Sequence, residues 1–400
     1  MTLGFLWDQL IANRDPSPVL AGIRRNGSSP FRGVLANDFN SDALATYRRN
    51  FDRDCEHSVP GSIEDLLQTD ERLPISDVLI GGPPCQGFSL LNKKRLGDQR
   101  RELWWHFLEI ADRTKAKVVV MENVPQLLGS EEFQAIWSRL GTLGFNYRMA
   151  HVLCAANYGV PQVRNRAIIV ASRVSPITLP HPTHISEKRR AKLIGTSLEQ
   201  LPSWRTVGEA FAGLGEPVGM EPRLSEGTTE SLHFGRNPTP ESRLRYRAVP
   251  PGGNRFDLLK NAPELTPACW VRKKSGGTDL FGRLWVDRPS VTIRTEFFKP
   301  EKGRYLHPTR HRPITHREAA RLQSFPDNFE FVGTKTEIAR QIGNAVPPLM
   351  AYWIAKSVQA SLDGCVTIAD MHRTRDHFKQ VLGESIDAIA VPNDALRAAS

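Results

Sequence analysis

Short aliphatic, β-branched runs alternate with helix-patterned segments through the first 175 residues, and this alternation constrains the fold more than any other feature of the chain. Phe31 to Asn37 is a short apolar run ending in Asp38, and Ala43 to Phe51 follows with a helical pattern. Val78 to Ile80 reads as a second strand, closed by Gly81-Gly82-Pro83-Pro84. A helix is expected over Glu102 to Lys115 and a third strand over Lys117 to Met121, ending at Glu122-Asn123. Phe133 to Leu143 then reads as a helix and Ala167 to Ser172 as a further strand. Such alternation predicts an α/β domain with a largely parallel sheet. In sheets of that kind the ligand lies beyond the carboxyl ends of the strands. Asp38, the Pro-Cys loop and Glu122 all fall just after strands, which suggests one shared site.

From about residue 176 to 300 the texture changes to prolines, glycines and short irregular pieces, with turn signals at Pro250-Pro251-Gly252-Gly253 and Ser275-Gly276-Gly277. Residues 181–300 hold 19 Lys and Arg against 13 Asp and Glu, a net of +6 within a chain of net +10. That surplus favours a polyanionic partner, with nucleic acid the default candidate and simple solubility the bland alternative. From about 313 the pattern is helical again. Thr315 is placed to cap a helix through Arg317 to Leu322, and Ile342 to Pro348 reads as a loop before an apolar helix, Leu349 to Leu362. The expected division is a catalytic α/β part over 1–180, a smaller basic domain over 181–300, a return to the first domain over 301–363, and a tail over 364–400 without a strong signal.

No apolar run approaches the roughly 20 residues that span a bilayer. Met1 to Asn13 carries Asp8 and no basic start, unlike a secretion signal, so a cytoplasmic location is expected. Five cysteines, at 55, 85, 154, 269 and 365, form no CxxC pair. Neither a disulfide framework nor a zinc site is expected, and most should be small buried hydrophobes.

Cys85 needs a separate reading. In Pro83-Pro84-Cys85-Gln86-Gly87-Phe88-Ser89 two prolines stiffen the approach and Gly87 permits a tight turn after it. A cysteine held rigidly after a strand can be a nucleophile once nearby positive charge or a helix N-terminus lowers its pKa. This string resembles the catalytic loop of the cytosine-5 DNA methyltransferases. Glu122-Asn123-Val124, Gln162-Val163-Arg164-Asn165-Arg166, Arg317 to Pro326, and Gly343-Asn344-Ala345-Val346-Pro347-Pro348 resemble four further motifs of that family, in its order. Pro289-Ser290-Val291-Thr292-Ile293 resembles the segment that rejoins the first domain. The resemblance runs from about residue 33 to 360.

The resemblance implies a Rossmann-like, S-adenosylmethionine-dependent methyltransferase domain with a smaller, irregular target recognition domain. It implies that Cys85 adds to C6 of a cytosine flipped out of duplex DNA, so that C5 can attack a methyl donor. Glu122 would protonate or hydrogen-bond N3, Arg166 would contact O2, and Arg164 would hold Glu122 and the catalytic loop. Pro84, Gln86, Ser89, Asn123 and Gln162 would support the loop and the substrate. S-adenosylmethionine would meet Asp38, Ile63, Pro83, Asn344 and Val346, with Asp38 on the ribose hydroxyls. No metal is implied. Double-stranded DNA is the implied partner, with a cognate restriction endonuclease acting on the same site, and the chain is expected to be a monomer. In the basic region His233, Arg236, Arg245, Arg247 and Arg255 are either DNA contacts or a solvated face.

Two pieces of the family pattern differ. Nothing in residues 1 to 32 matches the glycine-rich loop of the first strand, and Ser62 stands in Gly61-Ser62-Ile63 where an Asp is usual. An upstream or misread start, a cofactor held mainly by Asp38 and the C-terminal loop, and a DNA-binding relative with a defective cofactor site are the three alternatives. A tRNA cytosine-5 methyltransferase would have a Cys-Phe-Thr loop and a shorter recognition region, so Cys85-Gln86-Gly87 favours DNA. A cysteine hydrolase would need a base near Cys85, and no histidine has a convincing claim.

Overall fold

The computed structural model describes residues 30–69, 72–83, 103–222, 229–272, 274–383 and 385–392. The chain enters with β1 (Ala36–Asp38), α1 (Ser41–Phe51), β2 (Ser58–Pro60), α2 (Ile63–Gln68) and β3 (Val78–Gly81). It continues through α3 (Leu103–Arg113), β4 (Val118–Asn123), α4 (Glu131–Thr142), β5 (Tyr147–Cys154) and β6 (Asn165–Ser172). Caps set the starts of the helices. Asn40 accepts the Ala43 N–H at 2.8 Å ahead of α1, and Ser130 accepts the Phe133 N–H at 3.2 Å ahead of α4, each satisfying a donor the helix cannot pair itself.

The described strands form two sheets, a parallel pair β1–β2 and a five-stranded sheet. The order in the larger sheet is β3-β4-β6-β5-β7, where β7 is Ala388–Ala390. The expected largely parallel sheet holds only for β1–β2 and β3–β4, because β4–β6, β5–β6 and β5–β7 are antiparallel. For β5–β6 the reason lies in the connection. A parallel neighbour needs a crossover of about a dozen residues or more, and residues 155–164 between β5 and β6 are too few. Alternation along the strands feeds two apolar layers. Val118 and Val120 of β4 with Ile168 and Val170 of β6 join one core, and Val119, Met121, Ile169 and Ala171 join the other.

Among the described residues the basic region contributes no strand, only 3-10 turns and the short α-helices α5 (Glu187–Arg190), α6 (Val207–Phe211), α7 (Pro240–Ala248), α8 (Arg255–Asn261) and α9 (Ala268–Arg272). Buried arginines take the place of a sheet there. Arg255, 1% exposed, donates to the carbonyls of Trp270, Ser275, Gly276 and Gly277. Arg283, 2% exposed, donates to those of Tyr246, Val249, His307 and Arg310. Hydrogen bonds from a charged donor contribute roughly 1.5–3 kcal/mol each, enough to fix loops that have no ladder of their own. Arg255 is therefore neither a DNA contact nor part of a solvated face. The same holds for His233, which is buried between Thr315 Oγ1 and the Gly215 carbonyl, each at 2.9 Å.

The return is α10 (His316–Leu322), α11 (Lys335–Asn344) and α12 (Pro348–Leu362). Thr315 caps α10 as expected, in a reciprocal box with Glu318. Ile342, Gly343 and Asn344 are the last turn of α11 and not a loop; the break comes at Ala345, ahead of two prolines that cannot extend a helix. The tail also gains structure. α13 (Ile368–Leu382) starts at a Thr367–Asp370 capping box and ends at Gly383, whose φ of 76° suits glycine. It buries Met371, Thr374, Phe378 and Val381, after which β7 lengthens the sheet beside β5. Cys55, Cys269 and Cys365 are exposed and Cys154 half-buried, so the expectation of small buried hydrophobes fails for these four.

His316, 4% exposed, sits where these parts meet. Phe234 stacks on it at 4.6 Å, Phe297 meets it edge-on at 5.1 Å, and its Nε2 lies 2.9 Å from the Lys335 carbonyl. Burial first, then the charges of Lys335 and Arg236, pull its pKa from 6.5 down to about 4. The unfolded chain therefore takes up this proton first as pH falls, and stability is lost between about pH 6.5 and 4. His316→Phe is expected to make the fall in unfolding free energy between pH 7 and pH 5 smaller by about 2 kcal/mol. Urea titrations at the two pH values check this, and equal falls in both proteins would refute it.

Candidate active site

Antiparallel pairing of β4 with β6 builds the centre of the site. Glu122 lies opposite Ile168, so Arg166, two residues along, is its diagonal neighbour on the same face. Arg166 Nε is 2.7 Å from Glu122 Oε1, and the two side chains are 16% and 13% exposed. Burial draws the Arg166 pKa downward, opposed by the charge and hydrogen bond of Glu122. Gly82 makes room for the carboxylate, since a Cβ there would stand 2.9 Å from Glu122 Oε2. The next residue of β4, Asn123, donates from Nδ2 to the Pro83 carbonyl at 3.2 Å and accepts the Val124 N–H at 2.7 Å. Asn123 thus ties the end of β4 to the segment that leads into Pro84 and Cys85. Pro84, Cys85, Gln86 and Ser89 themselves lie outside the described residues.

The other two members of the Gln-x-Arg-x-Arg string face inward, away from solvent. Gln162, fully buried, accepts the Ile293 N–H at 2.8 Å and donates to the Leu322 carbonyl and to Gln323 Oε1. Arg164, 1% exposed, donates to the Ile293 carbonyl at 3.0 Å and the Gly343 carbonyl at 2.8 Å. Arg164 precedes β6, and the guanidinium bonded to Glu122 is that of Arg166, contrary to the assignment drawn from the resemblance. Burial, then the like charge of Arg166, pushes the Arg164 pKa down to about 9. It still carries its proton at neutral pH. Gly343 is required here, because a Cβ would stand 2.4 Å from the Thr295 nitrogen and 2.6 Å from the Arg294 carbonyl carbon. Gln323, which sequence reasoning passed over, completes the joint by donating to the Ile342 carbonyl.

The expected cofactor residues occupy two places. Asp38 ends β1, and its carbonyl accepts the Gly61 N–H at 3.3 Å, which brings the Gly61–Ile63 turn alongside. Burial raises the Asp38 pKa, and its Oδ1 accepts the Asn40 N–H at 2.8 Å. Ser62 is the N-cap of α2, paired reciprocally with Asp65, and Ile63 packs on the second core. Phe39, 77% exposed, stands next to Asp38; its ring went unremarked in the sequence although it directly follows a strand-ending acid. At the second place, Asn344 is exposed and Val346 buried at 6%. The two places are linked through α11, because Asn40 Nδ2 lies 3.5 Å from Glu337 Oε2 near its start. A nucleoside fits the first place in kind: an acid for ribose hydroxyls beside an open aromatic face. Among the described residues no group of three or more His, Cys, Asp or Glu could hold a metal ion, and no helix is long and apolar enough to cross a membrane.

The family model for C-5 cytosine-specific DNA methylases matches residues 19–360. The Type II methyltransferase M.NgoFVII of Neisseria gonorrhoeae is 32% identical over 356 residues, 87% of this chain and 86% of that protein. The Type II methyltransferase M1.HphI of Haemophilus parahaemolyticus is 32% identical over 342 residues, 82% of this chain and 81% of that one. A solved E. coli chain described as a DNA modification methyltransferase encoded within a prophage shares the fold, with a TM-score of 0.55 at 23% identity, over 82% of this chain and 92% of its own. With the Glu-Asn-Val and Gln-x-Arg-x-Arg strings meeting across β4 and β6, this chain belongs to the C-5 cytosine-specific DNA methylases and is a DNA cytosine-5 methyltransferase, whose methyl donor is S-adenosylmethionine.

Proposed function

We propose that this chain methylates cytosine in a short duplex sequence, and that Cys85, Glu122 and Arg166 carry the chemistry. The observation that supports this best is the Glu122–Arg166 pair, set beside the Pro83 carbonyl that Asn123 holds. C5 of cytosine is a poor nucleophile. The Cys85 thiolate forms a bond to C6, and the electron pair of the C5–C6 double bond is released toward C5. Charge grows on N3 and O2 as it does so. Glu122, in its protonated form, supplies the proton at N3 and Arg166 opposes the charge at O2. S-adenosylmethionine supplies the electrophilic methyl group when bound. Loss of the C5 proton to solvent water, return of the N3 proton to Glu122 and departure of the Cys85 sulfur as thiolate restore the aromatic ring.

The target carbon is out of reach within a duplex, so the base must leave the stack at a cost of a few kcal/mol, offset by phosphate contacts. Asp38 would hold the ribose, with Phe39 against the adenine face, and Pro83, Asn344 and Val346 at the methionine end. Ser62 cannot replace the usual acid while it caps α2, so more of the grip falls on Asp38. The Type II relatives favour a restriction–modification setting, with an endonuclease that reads the same sequence.

The test is expression in a bacterial host lacking cytosine methylation, followed by bisulfite sequencing of the resident plasmid. Protected cytosines in one fixed context, absent with an empty vector, are expected. Soluble protein that leaves every cytosine unprotected would favour the DNA-binding relative with a defective cofactor site.

A further inference from the structure

The net charge of the recognition region does not show which side faces DNA, because many of its cations are already engaged. Arg255, Arg283 and Arg304 are internal. Arg245 is tied to the Leu265 carbonyl and to Glu241, both at 2.6 Å. Lys299 and Lys302 share Glu296. On α7 the sequence Arg243-Leu244-Arg245-Tyr246-Arg247 separates three arginines by function. Arg243 and Arg247 are one turn apart on one edge, about 6 Å between Cβ atoms, while Arg245 is rotated to the far side. Tyr246 anchors the helix in a small core, and Leu244 is 49% exposed between the two outward arginines. Arg243 and Arg247 are exposed; Arg243 donates to Asn237 Oδ1 at 3.3 Å, and among the described residues neither has a carboxylate partner.

A second basic element is fastened to the end of this edge. The buried Arg283 guanidinium donates to the Tyr246 carbonyl at 2.5 Å and the Val249 carbonyl at 2.9 Å. It also donates to the His307 and Arg310 carbonyls at 2.6 and 2.5 Å. His307 Nδ1 accepts the N–H groups of Thr309 and Arg310, which fixes the loop's shape. Arg310 is thereby held outward, its side chain engaged among the described residues by Glu216 alone, with both side chains 61% exposed. A surface pair of that kind contributes at most about 1 kcal/mol and yields readily to a phosphate.

We propose that the Arg243–Arg247 edge of α7, continued by Arg310 on the loop that Arg283 anchors, is where the recognition region holds the phosphate backbone of duplex DNA. This rests on DNA being the substrate, and it concerns sequence-independent grip and not base reading. The residues are Arg, whose planar fork suits phosphate, and their supports are buried, so the edge is preformed.

The test is duplex binding by the full chain across a salt series, followed by fluorescence anisotropy, with a methylatable and an unrelated duplex of equal length. Each phosphate contact contributes about 0.9 to the slope of log affinity against log salt. The double variant Arg243→Gln, Arg247→Gln is expected to lower that slope by about 1.8 and to weaken both duplexes alike, on the order of tenfold per arginine near 0.1 M salt. Arg245→Gln, on the far side, is expected to leave the slope unchanged. Thermal unfolding of each variant separates lost grip from lost helix. A double variant with the parent's slope overturns the proposal, as does a loss confined to the methylatable duplex. A parent chain that binds neither duplex would instead sink the DNA reading beneath it.

Discussion

Glu122→Gln is expected to slow methyl transfer by about 10²- to 10⁴-fold while leaving duplex affinity within a few-fold of the parent. The substitution keeps the side chain's shape in the space that Gly82 leaves open. An amide can donate a hydrogen bond to N3, but it cannot deliver a proton there. It also weakens the link to Arg166 Nε, now 2.7 Å from the carboxylate, and in the proposed mechanism that link orients the guanidinium toward O2. Both losses fall on the step in which charge grows on the ring, so they appear in the single-turnover rate and not in binding. If Glu122 were only half of a structural ion pair, the variant would lose stability, yet its folded fraction would methylate at nearly the parent rate. Single-turnover methylation at saturating S-adenosylmethionine, with a parallel unfolding curve, distinguishes the two. A rate within threefold of the parent's removes Glu122 from the chemistry.

The motifs were legible in the sequence because each packs its residues into one short string. Glu122-Asn123 and the Gly81-Gly82 turn could be placed at strand ends from local pattern alone, and the structure puts Glu122 and Asn123 on the last two positions of β4. What the strings do not encode is which member faces which way. Alternation along a strand would put Arg164 and Arg166 on one face, but β6 begins at Asn165, and Arg164 turns toward carbonyls 129 and 179 residues away. The antiparallel half of the sheet was hidden because β5 carries Arg148 and His151 among its apolar residues and does not read as a buried strand. α13 was hidden in a similar way, its buried face spread among seven charged or histidine side chains. The basic surplus misled most. Nothing local to Arg255 or Arg283 separates an arginine that reaches a phosphate from one that ends on backbone carbonyls 15 to 37 residues off. Burial decides that, and burial is set by the whole fold.

The return helix gives the other large effect, on stability. Asp327 is 1% exposed and meets two buried cations. Arg321, 3% exposed, donates to it at 2.9 and 2.6 Å, and Arg317, fully buried, lies 3.6 Å away. Asp327→Asn keeps the volume and one acceptor oxygen but removes the only charge in this trio that offsets the guanidiniums. Breaking a buried pair from one side costs about 3–5 kcal/mol, since the cations that remain cannot regain water. The equilibrium constant for unfolding is therefore expected to rise by roughly two to four orders of magnitude, read from urea denaturation. Glu216→Gln is the matched control. It breaks the pair with Arg310, in which both partners are 61% exposed, and should move the same curve by no more than about 1 kcal/mol. The contrast also bears on the active site. Arg321 and Arg317 sit on α10, whose end supplies the Leu322 carbonyl and, through Gln323, the Oε1 that hold Gln162. Gln162 in turn positions Ile293, one of the two carbonyl anchors of Arg164. If the charge on Asp327 is what keeps α10 seated, the Asn variant should lose hydrogen-exchange protection along α10 and at the Ile293 amide together. Equal unfolding curves for Asp327→Asn and Glu216→Gln would show instead that α10 is held by its apolar contacts alone.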